Sequence, residues 1–172
     1  MEFAITKNPN PVPAAEREVI IENPTFGTNL TDHQVVVVWE KDKGWHSAEV
    51  IPYGPILMDP SAAVLHYGQE IFEGIKAYRH QDGSIWTFRP DANAKRLQRS
   101  AHRMALPELP TDVFVESLRQ LIAVDGDWVP SPEGEKTLYF RPFEIAAENF
   151  LGVRAAQRAE YRVISSPVVP YF

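Results

Sequence analysis

Arginine and tyrosine are the residue types here best suited to hold a small anion, and three of them stand in patterned positions. Tyr139 and Arg141 lie two apart in Leu138-Tyr139-Phe140-Arg141-Pro142. In a strand, both side chains leave one face, about 6.6 Å apart along it. Such a pair can recognise a carboxylate while neighbouring aromatic surface takes an apolar side chain. A half-buried strand whose arginine carries its charged tip to water fits the same residues. Arg96 sits at the edge of a helical apolar stripe centred between Leu97 and Ala101, where a guanidinium can turn its forked donors toward a phosphate. Arg99 and Arg103 share its side but point further from the core, so a solvated basic face explains this pattern too.

Tyr67, Phe26 and Tyr171 suit a pocket wall or a core equally well by residue type. His66, beside Tyr67, reads as a hydrogen-bonded structural residue, and no His/Asp/Glu spacing indicates a metal. The chain has no cysteine, which excludes disulfides, thiolate metal sites and a cysteine nucleophile. Its lysines are Lys7, Lys41, Lys43, Lys76, Lys95 and Lys136.

The elements that must position these residues follow from periodicity. Val35 to Trp39 is a β-branched apolar run without helical caps, which predicts a buried strand. Pro52, Pro55 and Pro60 predict irregular structure after it. Segments Ile75 to Arg79 and Ser84 to Phe88 flank Asp82-Gly83 and predict a hairpin. From Asp91 to Met104, Ala94, Leu97, Ala101 and Met104 share one helical stripe, with Asp91 an N-cap or first-turn acid. A second helix starts at Thr111, buries Phe114, Leu118, Leu121 and Ile122, and ends at Asp125-Gly126. Leu138 to Ile145 and Tyr161 to Ser165 predict strands. The mixed order points to an α+β fold with a mainly antiparallel mixed sheet and flanking helices. Residues 1–24, containing Asn8-Pro9-Asn10-Pro11-Val12-Pro13, read as a flexible arm, 25–166 as one domain, and 167–172 as the start of a connector.

A chain of 172 residues, 44% hydrophobic and 23% charged, has the length and composition of one globular domain. A net charge of -6 and a pI near 5.4 argue against nucleic acid or an anionic membrane as partner and favour small molecules. The first residues lack the pattern of an export signal, and apolar runs fall far short of the roughly 20 residues a membrane span needs. A cytoplasmic location is the expectation.

Several motifs in fixed order carry a resemblance: Leu65-His66-Tyr67-Gly68-Gln69-Glu70-Ile71-Phe72-Glu73-Gly74-Ile75-Lys76-Ala77-Tyr78, Thr87-Phe88-Arg89-Pro90, Lys95-Arg96-Leu97, Leu138-Tyr139-Phe140-Arg141-Pro142 and Pro167-Val168-Val169-Pro170-Tyr171-Phe172. From about Phe26 to Phe172 the chain resembles the smaller N-terminal domain of branched-chain amino-acid aminotransferases, pyridoxal-phosphate enzymes of fold type IV. The resemblance implies that Arg96 binds the cofactor phosphate and that Tyr67, Tyr139, Arg141, Tyr171 and Phe26 line the substrate site. It implies that Leu151 and Val153, in Glu148-Asn149-Phe150-Leu151-Gly152-Val153, reach a neighbouring subunit's pocket in a homodimer.

In such enzymes leucine, isoleucine or valine gives its amine to pyridoxal 5'-phosphate, and 2-oxoglutarate accepts it to give glutamate. The reaction requires a lysine that holds the cofactor covalently and shuttles protons. None of the six lysines here falls in the family's lysine motif, so no catalytic residue is assigned. The chain by itself is expected to be inactive and not to bind the cofactor stably. D-amino-acid aminotransferases and aminodeoxychorismate lyases share the fold and are alternatives, as is a non-catalytic interaction or dimerisation module.

Overall fold

The computed structural model describes residues 1–170. In chain order its elements are β1 (Ala4–Ile5), α1 (Ala14–Glu22), β2 (His33–Glu40), β3 (Gly44–Pro52), α2 (Ala63–Tyr67), β4 (Glu70–Phe72), β5 (Ile75–Arg79) and β6 (Ile85–Thr87). They continue with α3 (Pro90–Arg103), α4 (Thr111–Asp125), a 3-10 turn over Gly126–Trp128, β7 (Thr137–Ala146) and β8 (Arg158–Val168). The strands form one sheet in the order β1-β3-β2-β8-β7-β5-β6, and β4 pairs with β7 beside β5. Only β1 against β3 runs parallel among the described residues. This is the expected α+β architecture with a mainly antiparallel mixed sheet.

Alternation along β7 sends Leu138, Phe140 and Ala146 to one face, where they join Val35, Val37, Tyr161 and Val163 of β2 and β8. Leu97 and Ala101 of α3 and Phe114, Leu118 and Leu121 of α4 complete this core. Phe114 and Tyr161, both fully buried, set their rings 6.1 Å apart. The opposite face of β7 carries Tyr139 and Arg141, so burying one face leaves the other for chemistry.

The hairpin forms as predicted, with Gly83 at φ 84° in its turn, a value that favours a residue without Cβ. Asp91 takes the first-turn role, since Arg89 occupies the cap position and Pro90 opens α3. Several features differ from the pattern-based expectation, among them the short α2 and β4, which no periodic signal announces. Strand β3 lies outside it: a bulge places Ser47 at φ 50° and breaks the alternation where its register with β2 shifts between Val36 and Val38. Strand β8 runs three residues past Ser165 because β7 supplies partners as far as Thr137 opposite Val168.

A further difference lies in the N-terminal segment. It includes the strand β1 and the helix α1, and its extended stretch is bonded to the sheet. Asn8 N–H donates to His33 Nε2 at 2.8 Å and Val12 N–H to Asp32 Oδ1 at 2.8 Å. Helix α1 has no buried residue, so no strong apolar stripe announces it.

Candidate functional site

The site face is organised by three consecutive residues where β4 gives way to β5. Phe72 lies opposite Phe143 in the β4–β7 ladder, which puts it on the same face as Arg141 two residues away. The Arg141 guanidinium carbon stands 4.4 Å from the Phe72 ring centroid and 5.5 Å from that of Tyr139. Its Nε donates to Tyr139 Oη at 3.1 Å. Phe26 meets Tyr139 edge-on, with ring centroids 5.4 Å apart at 86°. A guanidinium held between two aromatic rings, with no ion pair to a carboxylate among the described residues, keeps its charge for an incoming anion.

Glu73 belongs to a second arrangement. Arg96 donates from Nε to Glu73 Oε1 and from one terminal nitrogen to Oε2, each at 2.6 Å. Asn93, one turn earlier on α3, donates to Glu73 Oε2 at 2.9 Å and to Gly74 O at 3.1 Å. The carboxylate side chain is 2% exposed and the arginine side chain 60% exposed. The hydrogen bond to Glu73, and then the charge of that carboxylate, raise the Arg96 pKa further above its already high ordinary value. Two of the five guanidinium N–H groups are committed to Glu73, and three remain. That donor set lies on a solvent-facing edge, where its remaining N–H groups are open to an anion's oxygens.

Tyr67 and Leu151 form a separate group, since the Tyr67 hydroxyl donates to Leu151 O. Their loop is braced: Arg154 pairs with Glu148 Oε1, Gln157 N–H donates to Glu148 Oε2 at 3.0 Å, and Arg154 lies 4.1 Å over the Phe150 ring. Leu151 and Val153 stand 61% and 86% exposed at its end. Tyr171 lies outside the described residues. His66 Nε2 donates to Pro60 O at 2.7 Å. No group of three or more metal-binding side chains occurs among the described residues.

Tyr139, Arg141 and Phe26 are thus brought together, while Arg96 is held through Glu73. Sequence reasoning missed Phe72, Glu73, Gly74 and Asn93 as parts of the site. Period-2 spacing could not flag Phe72, because its alignment with Arg141 depends on the β4–β7 register. The Glu73–Arg96 contact joins a strand end to a helix 23 residues later.

No protein-family model matches the chain. Over all 172 residues it is 60% identical to the branched-chain-amino-acid aminotransferase of Mycolicibacterium smegmatis, covering 47% of that protein. Over its whole length the chain is similar to part of a branched-chain-amino-acid aminotransferase. It is also 56% identical, over the same span and 47% of the relative, to the aminotransferase of that name from Mycobacterium tuberculosis. The chain spans about half the length of the curated relatives it matches. Among solved structures, the T.th. branched-chain aminotransferase with pyridoxamine 5'-phosphate superposes with a TM-score of 0.60 at 22% identity, over 79% of this chain and 41% of that one. The Thermoproteus uzoniensis enzyme with norvaline gives 0.57 at 20% identity, over 76% and 40%. At those identities the structures establish the shared fold: the chain has the fold of the smaller domain of the fold type IV aminotransferases.

Proposed function

We propose that this chain forms the N-terminal part of a pyridoxal-phosphate-dependent branched-chain transaminase that converts leucine, isoleucine or valine and 2-oxoglutarate into branched 2-oxo acids and glutamate. The match over the whole of this chain, to about half the length of the relative, carries the reading, and the Arg96 donor set is its chemical counterpart. When bound, pyridoxal phosphate supplies the electron sink that lets nitrogen leave an amino acid. Arg96 holds the phosphate through the donors Glu73 leaves available. Arg141 and Tyr139 hold a substrate carboxylate, and Phe26 and Phe72 offer apolar surface to a branched side chain.

The exposed Leu151 and Val153 support a homodimer in which this loop enters the partner's pocket, since two large apolar side chains on a braced loop gain most by burial. Tyr67, bonded to Leu151, travels with that loop. Location in the cytoplasm agrees with the lack of cysteine.

The test compares the full-length protein with residues 1–172 alone, each given cofactor, 2-oxoglutarate and a branched amino acid. Glutamate forms with the full-length protein and not with residues 1–172. Turnover restricted to D-alanine or aminodeoxychorismate overturns the substrate assignment. Sustained glutamate from residues 1–172, with borohydride fixing cofactor to a lysine such as Lys76 opposite Tyr139, overturns the division of labour.

A further inference from the structure

Gly74 is the tightest point of the site face. A Cβ built on it would lie 2.5 Å from Tyr139 Oη, 3.0 Å from Cε2 and 3.1 Å from Cζ, so the tyrosine ring lies directly across the bare glycine. The same hydroxyl accepts the Arg141 Nε–H. One residue before, Glu73 grips Arg96, and one before that Phe72 stacks on Arg141. Asn93 bonds both the Glu73 carboxylate and the Gly74 carbonyl, tying this strip to α3.

We propose that Phe72-Glu73-Gly74 is a single positioning strip, in which Glu73 aims Arg96 at an anion and Gly74 seats Tyr139 so that it can orient Arg141. The proposal rests on the site reading above and extends it to Glu73 and Gly74, which touch neither ligand. An exposed arginine side chain samples many rotamers, and fixing it in advance removes that entropy from the cost of binding. Glu73 does this with two short, charge-assisted bonds from a carboxylate shielded from solvent. Its negative charge also lowers the net positive field, so the strip trades general anion attraction for direction. Gly74 acts by absence: any side chain there pushes the Tyr139 hydroxyl off the spot where Arg141 Nε finds it.

Because two different contacts are involved, two substitutions separate them. In the full-length protein, Glu73→Gln weakens pyridoxal 5'-phosphate binding at least fivefold by equilibrium titration, with KM for leucine changed less than twofold at saturating cofactor. Gly74→Ala does the reverse, raising KM for leucine at least fivefold with cofactor affinity changed less than twofold. Arginine Nε–H exchange measured by 15N NMR reports the contacts independently of turnover: Glu73→Gln speeds exchange at Arg96 alone, and Gly74→Ala at Arg141 alone.

Unchanged or tighter cofactor binding in Glu73→Gln overturns the Glu73 role. Unchanged KM in Gly74→Ala overturns the Gly74 role, and both parameters moving together in each variant overturns the separation. Arg96→Ala and Arg141→Ala are the controls. If these are also silent, the site reading itself fails. If they act while the strip variants do not, only the strip fails. Loss of the folded amide spectrum in Gly74→Ala is met by Tyr139→Phe, which removes the Arg141 acceptor without adding bulk and must reproduce the Arg141 exchange change, or the proposal falls.

Discussion

Glu144 stands directly opposite Tyr161 in the β7–β8 ladder, and both are fully buried. Tyr161 shares a 3.0 Å hydrogen bond with Ser117 Oγ, whereas neither carboxyl oxygen of Glu144 has a partner among the described residues. Burial pushes the Glu144 carboxyl up from 4.5 to about 9. Between those values the folded state keeps a proton that the unfolded chain has released. The stability it contributes is full below pH 4.5 and is lost as pH rises toward about 9. Burial also raises the Asp125 carboxyl, which acts in the same direction. Glu144→Met, with an unbranched apolar side chain, is expected to stabilise the fold by about 1–3 kcal/mol at pH 7 by removing an unpaired buried polar group. Thermal melts from pH 5 to 9 check it: the variant melts higher and loses less stability toward pH 9.

Asp32 is the hinge of the N-terminal anchorage. Its Oδ1 accepts Val12 N–H at 2.8 Å and its Oδ2 accepts buried Trp128 Nε1–H at 2.8 Å. Asp32→Ala leaves both donors unpaired, at a cost of about 1–3 kcal/mol each where water cannot replace the acceptor. Lower Tm, altered Trp128 fluorescence and faster proteolysis between residues 8 and 24 are the expected outcomes.

Arg96→Ala in the full-length protein removes the proposed phosphate donors and is expected to weaken pyridoxal 5'-phosphate binding at least tenfold, with the circular dichroism spectrum retained. The fold persists because the arginine side chain is mostly exposed and Asn93 continues to bond Glu73. Equal affinity of variant and parent in one buffer would exclude the phosphate role.

Arg141→Ala is expected to damage amino-acid turnover more than cofactor retention, because Arg141 faces Phe72 and Tyr139 rather than Arg96. A tenfold or greater fall in kcat/KM for leucine, with cofactor titration nearly unchanged, is the expected split.

The sequence alone determined the class of elements and pointed to Tyr139, Arg141 and Phe26, which the fold brings together. Apolar stripes of period 3.6 located α3 and α4, an apolar β-branched run located β2, and Asp-Gly located the hairpin, because each of these signals is local. Tyr139 and Arg141 share a face for the same reason: alternation is a property of one strand. The order of motifs carried the resemblance to branched-chain aminotransferases. Tertiary structure decided the rest. Strand β3 depends on pairing with β2 across a bulge, and the bonding of residues 8–12 depends on side chains of Asp32 and His33. Most of all, the contacts of Phe72, Glu73 and Gly74 arise only when β4 pairs with β7 and α3 packs beside them. Contacts between Gly74 and Tyr139, or Glu73 and Arg96, span many residues of chain. No local periodicity encodes which distant side chain will fill the space a glycine leaves, because that is set by strand register and helix placement.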